Sequence, residues 1–192
     1  MKPKKVIETK FSRIKAGSVL IAQPCWKEPD YKRAIILITD YSAHAARGII
    51  INKASNIHVY DLMDEPGLRI DKMLYYGGSE SMEIISYIHN IPFIPEADYF
   101  GNGIYFGGDP ISVEELIKEN RIDLDKMKFF AGSTAWSSGE LEHEIANNRW
   151  WVSDISSREL FYSVPEKLWT QKLMLNGNMF GLFAEEFDPS LS

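Results

Sequence analysis

One cysteine, Cys25, stands in 192 residues, so no disulfide can close within the chain, and a reducing, cytoplasmic setting is the simpler expectation. Histidine is also scarce, at four residues, and His44, His58 and His89 have no metal-ligand spacing to one another or to Cys25. No apolar run approaches the roughly 20 residues that a membrane helix needs. Met1 to Phe11 is basic through Lys2, Lys4, Lys5 and Lys10, but no apolar stretch follows that could form a signal-peptide core. Residues 1–15 are therefore expected to be a basic, solvated N-terminal extension, with 16–192 as a single domain. No Pro/Ser-rich linker divides that stretch. Positive charge is short as well: 21 Lys and Arg face 27 Asp and Glu, giving a net charge of −6. That sign repels phosphate backbones, and no helix-turn-helix pattern, zinc spacing or aromatic RNA-binding signature reverses it, so nucleic acid is disfavoured as a partner.

What the chain has is an ordinary globular balance, 45% hydrophobic and 25% charged, with ten Phe, nine Tyr and five Trp to supply a firm core. Ser18 to Gln23 reads as a short buried strand ended by Pro24, and Ala34 to Thr39 as a second, built almost wholly of Ile and Leu. After a polar turn from Asp40 to Arg47, Gly48 opens a returning strand through Ile51. Asp61 to Asp64 suits one helical turn, and Met73 to Tyr76 a strand stopped by Gly77-Gly78. The β-branched stretch from Ile84 to His89 favours another strand. Ser112-Val113-Glu114-Glu115 reads as a capping box opening a helix that reaches Glu119 or Asn120. Met127 to Ala131 is a buried strand that leads into a loop, Gly132 to Gly139. A helix from about Glu140 to Asn147 follows, capped by Ser137 or Ser138, then a strand from Trp150 to Val152. Pro165 begins a last helix through Leu168, Trp169 and Met174, ended by Asn176-Gly177. Strands come in runs and helices intermittently, which points to an α+β class with a mainly antiparallel sheet.

In this order the segments resemble the YqgE/AlgH family of uncharacterised bacterial proteins. The likeness rests on Gly17 to Pro24, Tyr31 to Leu37, Gly48 to Lys53, Tyr76-Gly77-Gly78, Ile88-His89 and Gly103 to Gly108. It continues through Phe129 to Gly132, Trp136, Gly139 to Glu144, Leu168-Trp169 and Asp188 to Leu191. The resemblance implies a bacterial cytoplasmic protein with a bulged, barrel-like sheet flanked by helices, and no established activity. Some relatives carry the label of transcriptional regulator. The chain departs from the family pattern at Ser133, Thr134 and Ala135, at Glu140 where glutamine is usual, at Tyr41 where many relatives have histidine, and at Ala54 where they have proline. No catalytic role is carried over to these positions.

The candidate ligand or partner site is the loop formed by Gly132, Ser133, Thr134, Ala135, Trp136, Ser137, Ser138 and Gly139, since a helix start offers free N–H groups and a dipole that suit an anion. It is not a phosphate-binding P-loop, because the glycine spacing is wrong and no Lys-Ser/Thr pair closes it. The competing reading is structural, with the serines as caps, Trp136 in the core and Gly132 turning the chain. Glu140 and His143 reproduce one Glu-x-x-His spacing, but a di-iron site needs two copies, and with Glu144 they suit a solvated helix face better. A hydrolase would pair Ser133 or Ser138 with His143 or His89, without the Gly-x-Ser-x-Gly elbow. Cys25 beside Lys27 could favour a thiolate, although a lone cysteine is more often inert. Asp109, between Gly108 and Pro110, suits a turn and a helix start. The expectation is thus a non-catalytic binding or regulatory protein with a protein partner, without metal or cofactor. A small anionic ligand, bound or turned over at the same loop, is the alternative.

Overall fold

The stretches rich in β-branched and aromatic residues run four to eleven residues, the length of strands. In a computed structural model that describes residues 14–26, 28–62 and 68–175, they form β1 (Val19–Ala22), β2 (Ile35–Tyr41), β3 (Ala45–Ile50), β5 (Met73–Tyr76), β6 (Glu80–His89), β9 (Met127–Ser137) and β10 (Trp150–Ser153). Between them lie β4 (Ala54–His58), β7 (Asp98–Gly101) and β8 (Ile104–Phe106). The helices are α1 (Pro110–Lys118), α2 (Glu140–Ala146), α3 (Ser157–Tyr162) and α4 (Pro165–Leu175), with 3₁₀ turns at Val59–Leu62 and Leu124–Lys126.

One ten-stranded sheet runs in the order β10-β1-β2-β3-β9-β6-β8-β7, and β5 joins β9 while carrying β4 on its outer side. Every pairing is antiparallel except β5 with β9. The α+β, mainly antiparallel class is therefore what the chain adopts. The sheet is not closed, because the path ends in β10 and β7.

β1 and the first half of β2 are buried on both faces, which is why they read as unbroken apolar runs. Alternate residues feed two cores. Val19, Ile21, Ile35 and Leu37 pack with Phe130 and with Leu168, Trp169 and Leu173 of α4. Leu20, Ile36, Ile38 and Ile50 pack with Trp136, Trp150 and with Leu141 and Ile145 of α2. A third cluster, Leu74, Phe129 and Val59, lies against Val113 and Leu116 of α1. Each such aliphatic side chain contributes about 1.5–3 kcal/mol of burial. The indole of Trp169 also donates to the carbonyl of Ala22 at 2.8 Å, which fixes α4 on β1.

Several expectations are corrected. The turn after β2 is only Ser42 to His44, because Ser42 closes it by accepting from the Ala45 amide at 3.2 Å. Helix α1 begins at Pro110, not at Ser112: Asp109 is the cap and accepts from the Ser112 amide at 2.9 Å and its hydroxyl at 2.6 Å. The capping box belongs instead to α3, where Ser156 and Glu159 bond reciprocally. Residues 1–13 of the expected extension, Lys27, and the helix stop at Asn176-Gly177 lie outside the described residues. Ile14, inside the expected extension, is already buried in the α2-side core.

Candidate functional site

Gly132 to Ser137 do not form a loop; they are the second half of β9, and only Ser138 and Gly139 turn the chain into α2. The strand continues because β3 pairs with it from Thr134 to Ser137. Gly132 is buried with φ of +76°, and a Cβ there would lie 2.2 Å from the carbonyl oxygen of Gly78. Gly77 donates to the Ala131 carbonyl at 2.7 Å and its own carbonyl accepts from Ile50 at 2.8 Å. The Gly77-Gly78 pair and Gly132 thus meet, at a crossing of backbones that leaves no room for side chains.

Two hydroxyls of this stretch are engaged elsewhere. Thr134 is buried and its hydroxyl donates to the Gly48 carbonyl at 3.2 Å. Ser138 donates to the Ala43 carbonyl at 3.1 Å. Ser133 stands opposite Glu80 in the pairing with β6. The serines do not cap α2: Gly139, in the left-handed conformation, occupies the cap, and Glu140 reaches back to accept from the amide and hydroxyl of Ser137 at 2.9 and 2.8 Å. Those two bonds hold the Glu140 carboxyl below the usual range.

The face of α2 is divided rather than uniformly solvated. Glu140 and His143 are exposed, but Glu144 is only 8% exposed and points inward with Leu141 and Ile145. Its Oε2 accepts from the indoles of Trp136 at 2.9 Å and Trp150 at 2.7 Å, and its Oε1 from the Arg149 guanidinium at 3.1 Å. Three donors around one carboxylate satisfy a charge that would otherwise be expensive to bury. Sequence reasoning missed this group. The signal was the helical period itself, which puts residue 144 on the same stripe as 141 and 145.

This carboxylate anchors an aromatic cluster. Trp26 lies against Trp150 in a tilted contact at 4.6 Å and meets Tyr31 edge-on at 5.5 Å, and Trp136 meets Trp150 edge-on at 6.4 Å. The Arg149 guanidinium lies 5.3 Å over Trp26. Burial, reinforced by the Glu144 charge, pushes the Tyr31 phenol up to about 12. A cleft of about 340 Å³ opens beside the cluster, lined by Gln23, Cys25, Trp26 and Glu28 from the turn after β1 and by Asn147, Asn148 and Arg149 after α2. Trp26 is 8% exposed, and its indole N–H is buried without a hydrogen-bond partner among the described residues.

The imidazoles and hydroxyls considered for hydrolysis are not brought together. His89 is buried, its Nδ1 accepting from the Ile91 amide at 3.2 Å and its Nε2 donating to the Gly107 carbonyl at 3.0 Å. His143 contacts Asn147. Cys25 is exposed, with no histidine on the walls of its cleft. Among the described residues no three His, Cys, Asp or Glu side chains converge as metal ligands, and no helix is long and apolar enough to cross a membrane.

Comparison with known proteins adds a family. A family model described as AlgH-like matches residues 19–180. A UPF0301 protein of Parabacteroides distasonis is 30% identical over 164 residues, covering 84% of this chain and 83% of its own. One from Cytophaga hutchinsonii is 25% identical over 179 residues, covering 92% and 98%. Among solved structures, the AlgH protein from Pseudomonas aeruginosa superimposes with a TM-score of 0.69 at 19% identity, over 88% of this chain and 92% of that one. A protein from Corynebacterium diphtheriae does so with a TM-score of 0.71 at 20% identity, over 92% and 96%. At that identity these two show the shared fold.

Proposed function

The chain belongs to the AlgH-like family, and from that premise we propose that it is a non-catalytic, cytoplasmic binding protein whose recognition site is the cleft between Trp26 and Arg149. The observation that carries this reading is the guanidinium at the wall of the cleft. Arg149 is held by Glu144 on one side and by the face of Trp26 on the other, with the amides of Gln23, Asn147 and Asn148 around it. A donor-rich wall of that kind suits a small ligand bearing carboxylate or carbonyl oxygens. The non-catalytic reading is supported by the engagement of Thr134, Ser138 and His89 in structural hydrogen bonds. A regulator that reads duplex DNA is a poorer fit to six surplus negative charges.

The test is a thermal-shift screen with small carboxylates and phosphates on the native chain and on Gln23→Glu. A ligand at about 100 times its Kd adds about 2.7 kcal/mol. Stabilisation by an acidic ligand that Gln23→Glu weakens, with the unliganded melting point unchanged, supports the cleft. No shift with any of them, or one indifferent to Gln23→Glu, refutes it.

A protein partner is the second reading, and the contiguous exposure of Ser137, Ser138, Gly139 and Glu140 favours it. Because Trp136 is buried, that surface must be tested through its exposed residues. A Ser138→Arg variant that melts normally yet keeps every partner of the native chain would place the surface elsewhere.

A further inference from the structure

A second cavity, of about 220 Å³, opens beside β5 and β9. Its walls include Lys72, Tyr75, Asp125, Lys128 and Phe161, together with two methionines. Lys72 and the exposed Asp125 pair with each other. Lys128 is different. Its ammonium lies 4.6 Å from the centre of the Tyr75 ring and has neither hydrogen bond nor ion pair among the described residues. The groups around it are few. Ile88 stands opposite it on β6, Phe161 reaches the cavity from α3, and Glu166 in the first turn of α4 acts on it only through space.

We propose that Lys128 is a covalent capture site for a small aldehyde or ketone, which its side-chain amine takes up as an imine in this cavity. Three properties of the place support it. The amine is not committed to a carboxylate, so its lone pair becomes available on loss of one proton. Tyr75 and Phe161 place aromatic surface beside the amine, and the Tyr75 face that now stabilises the ammonium would stabilise a protonated imine in the same way. Burial also lowers the Lys128 ammonium from 10.5 to about 8, with Glu166 opposing. At pH 7 about a tenth of the amine is then neutral, against less than about a thousandth for an ordinary lysine.

The step balances without an oxidant or reductant. The neutral Nζ attacks the carbonyl carbon, a C–N bond forms, and the carbonyl electron pair moves to oxygen, which takes a proton. One nitrogen proton is released to give the carbinolamine; its hydroxyl then takes a second proton and leaves as water, expelled by the nitrogen lone pair, and the protonated imine so formed loses its N–H proton: amine plus carbonyl compound gives imine plus water.

The experiment is competitive labelling of the folded, full chain with limiting formaldehyde, trapped by cyanoborohydride and read peptide by peptide by mass spectrometry. Exposed Lys32 and Lys167 serve as internal references. The larger neutral fraction is partly offset by the weaker intrinsic nucleophilicity of a less basic amine, so Lys128 should label about tenfold faster than the references at pH 7. Its rate should level off above about pH 8 while theirs keep rising. In urea the advantage should vanish. Glu166→Gln, which removes the charge favouring the ammonium, should raise Lys128 labelling at pH 7 further. Labelling of folded Lys128 no faster than Lys32 and Lys167, a rate that climbs in step with theirs to pH 10, or indifference to Glu166→Gln overturns the proposal.

Discussion

Glu144→Ala would remove the carboxylate that accepts from two buried indoles. Trp136 is 3% exposed and Trp150 1% exposed, so neither N–H can turn to water when its acceptor is lost. Each stranded donor costs about 1–3 kcal/mol. Arg149 is half in solvent and adds little. The total is about 3–5 kcal/mol, in the range observed when a buried charge network is broken. Glu144→Gln is the informative companion. Both indoles converge on the same oxygen, Oε2, so a glutamine can keep its carbonyl oxygen there and turn its amide group toward Arg149. It loses charge assistance and faces one half-solvated donor, at a cost of about 1–2 kcal/mol. Urea unfolding followed by tryptophan fluorescence measures both. With a slope of about 2 kcal/mol/M, alanine should lower the midpoint by roughly 1.5–2.5 M and glutamine by roughly 0.5–1 M, with the slope unchanged. An alanine cost below about 1 kcal/mol, or a glutamine cost equal to it, would refute the clamp.

The remaining expectations concern single groups. Gly132→Ala should cost more than about 3 kcal/mol or abolish soluble expression, whereas Gly139→Ala should cost about 1–2 kcal/mol. Both glycines have φ of +76°, but only at Gly132 does a Cβ meet backbone, so equal costs would show that the close approach to Gly78 is unimportant. Burial holds His89 below 6.5 despite the Gly107 carbonyl, so the unfolded chain binds the proton more readily. The stability this neutral ring supports should therefore fall as pH drops through 6.5 and level out below the folded value. An NMR titration placing folded His89 above 6.5 would contradict this. Burial and then Glu142 raise the Tyr41 phenol to about 12, so ultraviolet titration should find it un-ionised at pH 10.5. Tyr41→Phe should cost about 0.5–1.5 kcal/mol through loss of the 2.6 Å bond to Glu142, and no change in melting would show that bond to be incidental.

The sheet was legible wherever strands were buried, and less so at its margins. β1, β2, β5 and the first half of β9 are apolar runs, all but β2 stopped by Pro or Gly, and each was anticipated within a residue or two. β4, with the sequence Ala-Ser-Asn-Ile-His, lies at an edge and faces solvent, so it has no apolar period to reveal it. The hairpin β7–β8 turns at Asn102-Gly103, a recognisable turn pair, but its strands are too short for alternation to stand out. At the candidate site, Trp136 in the core was readable from its neighbours. The conversion of 132–137 from loop to strand was not, because Gly132 and the serines at 133 and 137 suggest a turn and β3, 86 residues upstream of Thr134 at Gly48, supplies the pairing. The partnership of Glu144 with Trp150 was hidden because charge on a helix usually implies a wet face.

Strand β9 is bonded on both flanks from Phe129 to Ala131, by β5 and β6, and then hands one flank to β3 from Thr134 onward. Its central amides therefore have no local route to solvent: releasing them means parting three strands drawn from both halves of the chain. Deuterium uptake there should be the slowest in the protein and should report the free energy of global opening, with no earlier sub-transition in which one half of the sheet melts while the other persists.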